Sequence, residues 1–88
     1  MPDWQDTRDH LRLVELSVAD VSRWEIIGQR LEHMSPELLR EIASVRANPT
    51  KHSLHIAANA ARVAAERVDE PLKSETIALA EELEKRSI

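Results

Sequence analysis

His52 and His55 stand three residues apart at the head of "KHSLHIAANAARVAAERV", residues 51 to 68. On a helix that spacing puts both imidazoles on one face, one turn apart, where they can ligate a metal, carry a proton or attack as nucleophiles. A zinc site needs further ligands of the His, Cys or carboxylate type. The chain has no cysteine, and the next position on the same stripe is Asn59. A metal reading must therefore recruit His10, His33 or a distant glutamate, and neither a metal nor a cofactor is expected. The plainer reading makes the two histidines the wet edge of a packed helix, with Asn59 and Arg62 continuing a solvated stripe.

Other chemistries lack their residues. The single glycine, Gly28, cannot build a phosphate cradle. Ser17 and Ser35 precede apolar-periodic runs, where helix capping explains them, and the carboxylates are spread at helical spacing. No enzyme is expected.

The elements that hold these residues follow from punctuation and period. With one Gly, four Pro, no Phe and no Tyr in 88 residues, turn residues are too few for an all-β chain and helices are the default. In "LSVADV", Ser17 caps a helix with Asp20 three positions on. In "MSPELL", Ser35 precedes Pro36, whose missing N–H costs nothing in a first turn. "ANPTKHS" starts the Ala-rich helix and "DEPLKSE" starts the last one. The pattern predicts helices near residues 3 to 15, 18 to 33, 36 to 47, 50 to 68 and 72 to 86, or one continuous helix over 3 to 33 in place of the first two. The fold class is all-α: a small bundle of four to five helices with short loops, forming one helical domain over residues 1–88.

The segment near residues 50–68 is expected at the centre. Its polar residues His52, His55, Asn59, Arg62, Glu66 and Asp69 recur at steps of three and four, and the rest is almost wholly alanine, valine, leucine and isoleucine. A helix apolar over most of its girth is surrounded by neighbours. Small residues such as Ala57, Ala61, Ala64 and Ala65 admit a partner helix closely, either from the same chain or from a second copy. A chain of this length without large aromatics beyond Trp4 and Trp24 builds a thin core, so a homodimer is expected.

Two local resemblances accompany this reading. "HSLHIAANAA" is similar to the segment around the phospho-accepting histidine of histidine phosphotransfer domains, four-helix bundles that relay a phosphoryl group. The likeness implies His52 as acceptor, with His55 and Ile56 where that family carries lysine and glycine. "VSRWE" and "SPELLREIASV" resemble the recognition helix, and the helix after it, of phage-repressor-like helix-turn-helix domains. That likeness implies DNA reading through residues 18–33, with Ser22, Arg23 and Gln29 toward the groove.

Sixteen acidic against twelve basic residues leave a net charge of -4, which opposes unspecific attraction to nucleic acid or anionic lipid. No apolar run suits a leader or a membrane span, so a cytoplasmic protein is expected. The leading expectation is a small acidic helical module that binds another protein in a regulatory or inhibitory role. Its expected contact residues are Trp4, His52, His55, Asn59 and Arg62. Nucleic-acid binding comes second and phosphorelay third.

Overall fold

The computed structural model of the chain describes residues 12–87. These residues form four helices: α1 (Val18–Arg30), α2 (Pro36–Ala47), α3 (Lys51–Glu66) and α4 (Leu72–Arg86). No strand occurs among the described residues; the only β-type pairing there is an isolated antiparallel bridge between Leu13 and Thr50. No helix among them is long and apolar enough to cross a membrane.

Residues 12–17 are not helical. The Val14 N–H donates to the Pro49 carbonyl at 2.6 Å, which draws this segment along the α2–α3 turn. The helix expected near 3 to 15 therefore does not extend over residues 12 to 15, and a continuous helix over 3 to 33 is excluded. The earlier part of that expected helix, Trp4 included, lies outside the described residues.

Helix starts follow local chemistry at three of four positions. Ser17 Oγ accepts from the Asp20 N–H at 3.1 Å and begins α1. Thr50 and Ser53 form a reciprocal capping box at α3, each side chain accepting from the other's backbone N–H at 3.0 Å. At α4 the carboxylate of Glu70, just ahead of the helix, accepts from the Ser74 N–H at 2.9 Å. The exception is α2, where Pro36 sits at the start but the Ser35 side chain makes no cap. Its hydroxyl is taken up by Arg67, from the end of α3, and by Glu37.

Consecutive helices pack on one another, and α3 lies between α2 and α4. Leu54, Ala57, Ala58, Ala61, Ala64 and Ala65 form its buried face. The alanines that suggested a second copy are thus covered within one chain. Burial does not run around the whole helix, because Val63 is 44% exposed. From the other helices Trp24, Leu31, Leu38, Ile42, Val45 and Leu83 are fully enclosed. Gly28 lets α1 approach α2: a Cβ there would lie 3.2 Å from the Leu39 Cα. Arg46 fastens the same pair with two contacts to Glu25, at 2.8 and 3.0 Å.

Candidate partner-binding cleft

Helices α1 and α4 meet chiefly through charged side chains. Arg23 grips Glu82 with both terminal nitrogens, at 3.1 and 2.8 Å. Arg30 reaches Glu75 at 3.5 Å, and Asp20 accepts from Arg86 at 3.0 Å. As numbers rise along α1 their partners' numbers fall along α4, so the two helices run antiparallel. Arg23 and Arg30 are seven apart, and so are Glu75 and Glu82. The pairs therefore form two rungs about 10.5 Å apart along the helix axes.

A cleft of about 500 Å³ opens between the rungs and runs on past the Arg23–Glu82 pair as far as Ala19. Its apolar lining is Ala19, Ile26 and Ile27 from α1 with Ala78 and Leu79 from α4, joined by Ser22. The cleft stays open because the bulky residues of α1 turn elsewhere: Val21, Trp24 and Leu31 are buried, while small Ala19 and Ser22 border the gap. Ile26 remains 51% exposed beside it. Ile26 stands with Ala19, Ile27, Ala78 and Leu79 as one grouped apolar surface, and it is grouped apolar surface, not a lone exposed side chain, that interaction sites present.

The rung at Glu82 extends inward. The indole N–H of the fully buried Trp24 donates to Glu82 Oε2, the same oxygen that Arg23 Nη2 reaches. The hydrogen bonds from the Arg23 guanidinium, helped by that from the Trp24 indole, hold the Glu82 carboxyl below its ordinary range against the opposing effect of burial. Hydrogen bonds from Arg23 and then Ser17 lower Asp20 likewise, and Glu82 and Asp20 raise Arg23 in return. Asp20 thus joins Arg23 to Arg86, and the charges at this end of the cleft neutralise one another. The arrangement supplies a fixed frame and an apolar opening, not a poised base.

The residues singled out from sequence spread over several surfaces. His52, His55, Asn59 and Arg62 are all exposed on α3 but do not converge. Arg62 is held by Glu84 of α4 through two contacts of 2.7 Å, and the charge of nearby His55 helps lower Glu84 after the Arg62 hydrogen bond and pairing. On the other flank His52 borders a shallow hollow with Glu41 and Ser44, and Asn59 borders a second with Glu37 and Val63. Ser22 and Arg23 both reach the α1–α4 cleft, whereas Gln29 is exposed outside its lining. Among the described residues no group of three or more His, Cys, Asp or Glu is placed to hold a metal ion.

Sequence reasoning passed over Ile26, Ala78 and Glu82. One signal was available: Ile26 falls outside the helical stripe of Val21, Trp24, Gly28 and Leu31, which the structure turns inward. Comparison with protein-family models, with curated proteins and with solved structures finds no match to this chain.

Proposed function

We propose that the chain is a cytoplasmic protein–protein interaction module with a regulatory or inhibitory role, and that it takes its partner at the α1–α4 cleft. The observation that carries this reading is Ile26, half exposed beside an apolar opening whose bordering charges already satisfy one another. A protein partner gains by covering that apolar surface, whereas water gains nothing from it. A homodimer is the less favoured partner, because the alanines that argued for it are enclosed within the single chain.

The disposition of the arginines favours a protein over DNA. Arg23, Arg30, Arg46, Arg62, Arg67 and Arg86 each lie within 3.5 Å of a carboxylate oxygen, which cancels the net positive field that a run of DNA phosphates requires even though individual N–H donors remain. Arg23 in particular turns toward α4. For phosphorelay, exposed His52 is available, but Ile56 shares its hollow and narrows the approach of a receiver.

Tagged protein incubated with an extract of the source organism should retain a partner that can be identified, purified and recombined with it. Ile26→Asp should abolish the purified complex and His52→Ala should leave it intact. A complex indifferent to Ile26→Asp overturns the reading. So does a salt-sensitive mobility shift of duplex DNA that collapses with Arg23→Ala, or acid-labile label at His52 from a phosphorylated receiver.

A further inference from the structure

The cleft has a register as well as an apolar floor, and the register constrains what enters it. Along the α1 edge the charges are positive, Arg23 and Arg30; along the α4 edge they are negative, Glu82 and Glu75. Both edges repeat every seven residues, about 10.5 Å on a helix. Midway between the rungs Ile26 and Ile27 stand across from Ala78 and Leu79. The opening is therefore an apolar window between two charged bars.

From this we infer that the window receives one bulky apolar side chain presented by an amphipathic α-helix of a partner protein, lying lengthwise along the cleft. The inference rests on the interaction reading above and adds the partner's chemistry. If the inserted residue is i, positions i−3 and i+4 fall on one flank of that helix and i−4 and i+3 on the other, each pair seven apart. Acidic residues on the first flank match the spacing of Arg23 and Arg30, and basic residues on the second match Glu75 and Glu82; a helix entering in the opposite direction carries the converse signs. An extended strand fits less well, because its same-face residues repeat at about 6.6 Å.

Exposed ion pairs of this kind contribute little on their own, so an incoming carboxylate or ammonium can share them without disrupting the fold. Each guanidinium has five donors and can hold its rung while donating to a newcomer. Ala78 is exposed and small, so nothing from α4 fills the window. The insertion therefore requires no rearrangement of the core.

A synthetic helical peptide of about fifteen residues tests this: leucine at i, glutamate at i−3 and i+4, lysine at i−4 and i+3, and alanine elsewhere. Titrated into isotope-labelled protein, it should give saturable shifts in the backbone amide signals of Ser22, Ile26 and Ala78. Replacing its leucine with alanine should weaken binding roughly tenfold. Ala78→Phe, which fills the window from an exposed position and should leave the helical spectrum unchanged, should abolish the shifts.

Equal binding by the leucine and alanine peptides, binding that survives Ala78→Phe, or shifts centred on the hollows by His52 and Asn59 would overturn the inference. So would concentration-dependent shifts at the cleft in the protein alone, which would make the occupant a second copy. If the peptide fails while a purified partner is still lost with Ile26→Asp, the interaction reading stands and the lengthwise helix does not. If a purified partner binds indifferently to Ile26→Asp, the interaction reading at the cleft fails and the inference that rests on it fails with it, whatever the peptide does.

Discussion

The indole N–H of Trp24 donates to the carboxylate of Glu82, 58 positions further along the chain, and Arg23 grips that carboxylate from the solvent side. One acidic side chain thus satisfies a buried donor and forms one of the two charged bars across the α1–α4 cleft. The two roles can be separated. Glu82→Ala leaves the indole N–H unpaired and should destabilise the protein by about 1–3 kcal/mol in urea denaturation. Glu82→Gln keeps a carbonyl for the indole and should cost roughly half as much, since it forfeits mainly the exposed pairing with Arg23.

Acid should weaken the fold. Hydrogen bonds from Arg23 lower Glu82 and Asp20, Arg62 lowers Glu84, and the Ser74 side chain lowers Glu70. A carboxyl whose folded pKa is depressed binds its proton more readily in the unfolded chain. Its stabilisation is complete above the ordinary values of 3.8 for aspartate and 4.5 for glutamate, and is lost as the pH falls through the depressed folded values. Urea midpoints should therefore be level around neutrality and fall below pH 4.5. The acid slope should be shallower in Glu82→Gln.

Gly28 sets the spacing of α1 and α2. Alanine normally gains about 1 kcal/mol over glycine inside a helix. Here the added methyl would stand 3.2 Å from the Leu39 Cα, a backbone atom that cannot swing aside, and 3.2 Å from the Ile42 Cδ1. Gly28→Ala should show none of the usual gain in thermal denaturation. Gly28→Val should lose about 1–3 kcal/mol by overpacking.

The capping box of α3 is an independent test of the local reading. Thr50 is buried, accepts from the Ser53 N–H and bridges to Leu13. Thr50→Ala should cost about 1–2 kcal/mol. Proton exchange at the Ser53 amide should quicken by more than at Ala61, in the middle of the same helix.

How much of this was readable beforehand depended on range. The bounds of α2 were set by Pro36 and the apolar period after it, and those of α4 by Pro71 and the run to Arg86, all within a few residues. The extended course of residues 12–17 was not readable, because it depends on the Pro49 carbonyl, far away in sequence. Ser35 looked like a side-chain cap, but Arg67 from another helix claimed its hydroxyl. The histidine stripe was visible and is exposed, yet its members divide between two flanks of α3. The cleft was hidden for the same reason as the N-terminal course: the matching seven-residue intervals of Arg23 with Arg30 and Glu75 with Glu82 acquire meaning only once α1 and α4 lie side by side.

The inner methyls of α3 impose unequal freedom on the rest of the chain. Ala57, Ala58, Ala61 and Ala64 have no surface in contact with solvent, and both neighbouring helices rest on them, so lengthening any one side chain must push a whole helix outward. Substitutions that enlarge a side chain without displacing a helix are consequently confined to the periphery, while the scaffold beneath stays the same.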